Sequence, residues 1–252
     1  MKIFHFFSKT KKPPLDECRR EKLFLHLTSN IVIVLVVTSV FFMSLLSPLS
    51  VETATLTQNA IYRGNANKNN ISLMINVYWG TEFLGDILQT LKDENVSVTF
   101  FVGGSWVAKN EEMLFEMCFA GHEIASHGYN HKDHAKLSRE AQEKEIVMAE
   151  KMILSATGKK PTLFAPPSGS YNKTTIEVAN NLGYQVIMWS KDTIDWRDHD
   201  TKKIFDRATT NLQNGDLILM HPTKNTLEAL GDIIKSIKSQ GFELSTVSDN
   251  LA

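Results

Sequence analysis

The chain has 252 residues, 42% of them hydrophobic, with 27 Lys and Arg against 28 Asp and Glu for a formal net charge of −1. That length fits one large domain or two small ones with a packed core, and the charge balance excludes a broad basic surface for nucleic acid. The two cysteines, Cys18 and Cys118, lie on opposite sides of an apolar segment, which excludes a disulfide framework.

Residues 1–30 carry Lys2, Lys9, Lys11, Lys12, Arg19, Arg20 and Lys22 against Asp16, Glu17 and Glu21. Residues 31–49 are almost wholly apolar and uncharged, and about 20 such residues suffice to cross a bilayer as a helix. The basic flank keeps the N-terminus in the cytoplasm. The expectation is a short basic cytoplasmic tail and a single-pass signal anchor in the cell membrane, with the C-terminal bulk outside. A cleaved signal peptide fits poorly, because the apolar run begins far from the start and exceeds the usual core of about 7–15 residues. Residues 50–70 are rich in Thr, Asn, Ala and Ser without apolar period, as in a flexible linker.

From residue 71 to 252, strand and helix patterns alternate. Residues 71–78 read as a strand, and 82–94 as a helix with Phe83, Ile87, Leu88 and Leu91 on one face. Residues 96–102 read as a buried strand, 111–120 as a helix stopped by Gly121, and 122–126 as the next strand. Residues 138–157 form a long helix opened by Ser138 and closed by Gly158. Strands follow at 162–164, 185–189, 216–220 and 243–244, separated by helices at 174–182, 201–212 and 226–240. Such alternation predicts an α/β fold with a parallel sheet, an open doubly wound sheet or a barrel, and functional groups gather where its strands end.

Three strand exits carry chemistry. His127 and His131 are four residues apart, a spacing at which two imidazoles can share one metal ion, although such pairs are often plain polar loop residues. Asp192 and Asp195 follow the strand at 185–189, and His221 follows that at 216–220.

The runs Ser126-His127-Gly128-Tyr129-Asn130-His131, Asp192-Thr193-Ile194-Asp195-Trp196 and Leu219-Met220-His221 resemble, in order and separation, the motifs of the NodB-homology polysaccharide deacetylases, carbohydrate esterase family 4. Val98-Thr99-Phe100-Phe101-Val102 lies between the family's first motif, aligned with residues 76–80, and its second, at residues 126–131, and Ala165-Pro166-Pro167-Ser168-Gly169 stands in place of an Arg-Pro-Pro-Tyr-Gly segment. The resemblance implies a distorted, incomplete (β/α) barrel over residues 71–252, and the apolar run at residues 31–49 places one transmembrane helix before it. It also implies hydrolysis of acetyl groups on an acetylated polysaccharide or peptidoglycan with a divalent metal, taken as zinc. Under it His127 and His131 match the metal ligands, and His221 matches the acid that protonates the leaving amine. An Asp of the Asp192-x-x-Asp195-Trp196 motif, taken as Asp192, matches the carboxylate that tunes that acid, and Pro167 and Trp196 line the substrate.

The first motif of that family reads Thr-Phe-Asp-Asp-Gly, whereas Asn76-Val77-Tyr78-Trp79-Gly80 stands here. Tyr78 replaces the general base, Trp79 the metal-binding Asp, and Ala165 the Arg that supports the base. Tyr78 or Glu82 could act as a substitute. Tyr78 and Trp79 could equally be packing residues, or an aromatic face against a sugar. Two readings follow: a membrane-anchored metal-dependent deacetylase, and a catalytically impaired pseudoenzyme that binds glycan or a partner protein.

Overall fold

The computed structural model describes residues 28–39 and 59–252. The chain divides into two units, Met1–Thr53 and Ala54–Ala252. In the first, residues 28–39 form helix α1, with Ile31 to Val37 exposed. The remainder of the expected tail, anchor and linker, residues 1–27 and 40–58, lies outside the described residues. Among the described residues no helix is long and apolar enough to cross a membrane.

The second unit is built on β1 (Asn70–Val77), β2 (Thr99–Val102), β3 (Glu123–Ser126), β4 (Leu163–Phe164), β5 (Gln185–Val186), β6 (Lys191–Asp192), β7 (Leu217–Met220) and β8 (Glu243–Leu244). The main path runs β5-β4-β3-β2-β1-β7-β6, β8 also pairs with β1, and every pairing is parallel. The edges β5 and β6 are successive pieces of one stretch, which pairs β4 with its first half and β7 with its second. The sheet therefore curls into a distorted, incomplete barrel. Ile61 forms a parallel bridge to Ile187 and Arg63 an antiparallel bridge to Asp216, so residues 61–63 run along the seam. Buried Asp216 fastens it, accepting from Ser190 Oγ at 2.7 Å and pairing with Arg63 at 2.8 Å.

Side-chain alternation sorts β1 into two faces. Ile71, Leu73, Ile75 and Val77 join the outer core, together with Leu84, Ile87 and Leu91 of α2 (Leu84–Asp93). The same core takes Leu230, Ile233, Ile234 and Ile237 from α8 (Lys224–Ser239). Met74 instead enters the barrel interior beside Phe101, Ala125 and Leu217. Each such burial is worth about 1.5–3 kcal/mol, and Asn76 is the last inward-facing residue of the strand by this alternation.

The remaining helices are α3 (Gly104–Val107), α4 (Glu111–Phe119), α5 (Arg139–Thr157), α6 (Lys173–Asn181), α7 (Thr201–Thr209) and α9 (Val247–Leu251). Their ends follow local chemistry. Ser138 Oγ accepts the Ala141 N–H to cap α5, which stops at Gly158 with φ 70°. Asn172 and Thr175 form a reciprocal capping box on α6. The sequence pattern does not disclose α3, β6 or α9, each five residues or fewer.

Candidate functional site

The exits of β1, β3, β6 and β7 meet over a cavity of about 380 Å³ lined by Asn76, Trp79, His127, His131, Ser168, Trp189, Asp192, Trp196, Leu219 and His221. A larger share of its wall is apolar than polar, as in small-molecule sites generally.

His127 continues directly from β3, its N–H donating to Val102 O at 2.9 Å. The ring is 2% exposed and its Nδ1 lies 2.8 Å from Ala165 O. A carbonyl only accepts, so Nδ1 carries the proton and Nε2 the lone pair. Burial, reinforced by His131, lowers the His127 pKa to about 3, which keeps the ring neutral. Gly128 with φ 74° and His131 with φ 54° turn the chain back, leaving the two ring centroids 5.1 Å apart with their planes at 66°. Burial also lowers the pKa of His131. The turn is held from behind by Glu145 of α5, which accepts the N–H groups of Asn130 at 2.7 Å and Tyr129 at 3.2 Å and pairs with Lys132.

His221 follows β7. Its Nδ1 lies 2.8 Å from Asp195 Oδ1, and its backbone N–H donates to Asp195 Oδ2 at 2.6 Å. Thr226 Oγ1 also donates to Asp195, which is fully buried. The sequence expectation gave this carboxylate role to Asp192, and the geometry gives it to Asp195. Asp192 Oδ1 is occupied by the Ile194 N–H at 2.8 Å, a local turn in which Ile194 takes φ 54°. The reversal aims Asp195, three residues on, into the core beneath His221. Asp192 stays on the cavity wall, where burial raises its carboxyl pKa.

The two replacements in the first motif each stand on a retained imidazole. The Tyr78 ring is tilted 34° over His131 with centroids 4.7 Å apart, and Trp79 stacks on His221 at 5.7 Å and 15°. Tyr78 and Pro167, expected against substrate, do not line the cavity. Tyr78 is turned toward Gly103 and His131, and Pro167 is buried. Trp79 and Trp196 do line it, 47% and 52% exposed. Ala165 is fully buried in the barrel interior. Glu82 offers no carboxylate to the cavity: its Oε2 accepts the Thr81 N–H at 3.0 Å.

The family metal does not fit this donor set. His127 and His131 converge, but among the described residues no group of three His, Cys, Asp or Glu could hold an ion, fewer than the three protein ligands of a catalytic zinc. Trp79, at the missing ligand's position, is committed to His221.

Sequence reasoning missed Asn76, Trp189 and Glu145. Glu145 had a readable signal, since it falls on the buried stripe Gln142, Glu145, Ile146, Ala149 and Ile153 of α5. A carboxylate there requires a partner. Asn76 and Trp189 had none.

Residues 63–187 match the family model described as Polysaccharide deacetylase. YlxY, an uncharacterized protein of Bacillus subtilis, is 38% identical over 200 residues, covering 79% of this chain and 63% of that protein. This chain thus spans less than two thirds of that relative's length. A peptidoglycan-N-acetylglucosamine deacetylase of Bacillus cereus is 32% identical over 171 residues, 66% of this chain and 80% of that one. Among solved structures, a CE4 family pseudoenzyme from Bacillus anthracis aligns with TM-score 0.76 at 36% identity, over 78% of this chain and 70% of that one. A mutant of it described as having restored enzymatic activity aligns equally well, at 34% identity over 78% and 72%.

Proposed function

Because the chain belongs to the polysaccharide deacetylase family, we propose that it is a glycan-binding member whose hydrolytic step is disabled. One observation carries this reading: the residues replacing the base and the metal-binding carboxylate are aromatic rings packed on His131 and His221. Amide hydrolysis needs a base to activate water, a positive centre to polarise the carbonyl, and an acid for the leaving amine. Only the acid, His221 oriented by Asp195, is in place. Loss of base catalysis alone costs on the order of 10²–10⁴-fold in rate. The His221 imidazole persists as a support for Trp79, and Trp79 and Trp196 offer ring faces of the kind on which a sugar stacks. The relatives named as peptidoglycan deacetylases favour envelope peptidoglycan as the ligand class. Zinc, the metal expected from the sequence, would meet only His127 and His131.

The intact Asp195–His221 dyad favours a second reading, a residual deacetylase using the same acid. Acetate release from N-acetylglucosamine oligomers and peptidoglycan, measured with and without added zinc, separates the two. The first reading expects no release from the native chain and release from Tyr78→Asp/Trp79→Asp. Release by the native chain that His221→Ala abolishes would overturn it.

The same proposal places the protein in the cell membrane through residues 31–49, with the glycan-binding unit outside. Protease added to intact cells should digest that unit, and full protection would refute the topology.

A further inference from the structure

The cavity wall offers hydrogen-bond acceptors and aromatic faces. No Lys or Arg lines it. His127 is buried, with its Nδ1 proton engaged by Ala165 O at 2.8 Å. His221 is paired with buried Asp195 at 2.8 Å. Asp192 contributes a carboxylate whose hydrogen bond comes from a backbone N–H, and the two arginines near it are engaged elsewhere, Arg207 by Asp198 and by Thr193 O at 2.9 Å and Arg197 by Asp198 at 2.8 Å. Asn76, 4% exposed, lines the same wall with its Oδ1 buried and without a partner. The half-exposed rings of Trp79 and Trp196 complete the wall, and tryptophan faces attract cations more strongly than those of other aromatic residues.

We infer that the cavity selects an amino sugar with a free C2 ammonium, the de-N-acetylated form of a hexosamine, over its N-acetylated counterpart. This rests on the glycan-binding reading above. An ammonium brings three donors and one charge, enough to satisfy Asp192 and Asn76 Oδ1 beside the indole faces. An acetamide brings one donor and no charge, and leaves Asp192 uncompensated. The protein would then recognise what its active relatives produce.

Calorimetric titration of the full chain in detergent micelles tests this, with an all-glucosamine tetramer and an all-N-acetylglucosamine tetramer as probes. The glucosamine tetramer is expected to bind at least about tenfold tighter. Asp192→Asn, which keeps an acceptor for the Ile194 N–H, should bring the two within about twofold, whereas Trp79→Ala should weaken both. Equal affinity, or preference for the acetylated tetramer, would overturn the selectivity and leave glycan binding standing. A glucosamine preference that survives Asp192→Asn would overturn the assignment to this cavity. Failure of both tetramers to bind would overturn the selectivity and the glycan-binding reading together.

Discussion

Gly103 and Tyr78 occupy one space: a Cβ on Gly103 would stand 2.5 Å from Tyr78 Cδ2. The ring over His131 is therefore accommodated by a missing side chain on the neighbouring strand exit. Gly103→Ala should destabilise the chain by about 1–3 kcal/mol, the usual range for overpacking. With Tyr78→Ala the clash is gone, so the alanine should cost little. Urea unfolding of the four variants checks the coupling, and additive losses would contradict it.

Trp79 holds the place where a third metal donor would stand. Trp79→Asp should tighten zinc binding at least about tenfold by giving His127 and His131 a carboxylate partner. Competition titration with a zinc indicator reads this without reference to activity. Unchanged affinity would mean that the new carboxylate does not reach the imidazole pair.

Burial depresses four imidazoles from an ordinary 6.5: His127 to about 3, His122 and His134 each to about 4, and His131 in the same direction. Between pH 6.5 and about 4 the unfolded chain binds protons that the folded chain refuses. Their stabilisation is complete above 6.5 and is lost as pH falls, by up to about 1.4 kcal/mol per pH unit for each ring. Melting temperature should be level just above pH 7 and fall steeply below 6.5. The slope should be shallower in His122→Gln, which removes one titrating ring away from the cavity. A melting temperature constant down to pH 5 would contradict this.

Glu145 holds the turn between the two imidazoles. Glu145→Ala leaves the Tyr129 and Asn130 N–H groups without their acceptor, at about 1–3 kcal/mol for each donor left buried and unpaired. Hydrogen exchange at those two amides should accelerate, and Glu145→Gln should restore part of the protection. Unchanged exchange would remove Glu145 from this role.

The repeating parts of the fold were legible because single residues signal them. The apolar run of β1, the Ser138 cap and the Gly158 stop each appear in the chain where the structure has them. Elements of two to five residues were not, since β6 is only Lys191 and Asp192 and carries no periodicity. In the site, motif order brought His127, His131, Trp79, Trp196 and His221 to one cavity. The choice between Asp192 and Asp195 depended on the positive φ of Ile194, which a β-branched residue rarely adopts and composition does not announce. Nor does a sequence show that an aromatic substitute will lie on the imidazole it was expected to assist.

The seam has a mechanical consequence. The chain enters the barrel between β5 and the start of β7, with Ile61 N–H donating to Val186 O on one side and Gly64 N–H to Gly215 O on the other. A pull on the polypeptide before Ala60 is borne first by these few bonds and by the Arg63–Asp216 pair. Tension from a tethered N-terminus would load the join between β5 and β7 before any helix, so that edge is where the fold would begin to yield.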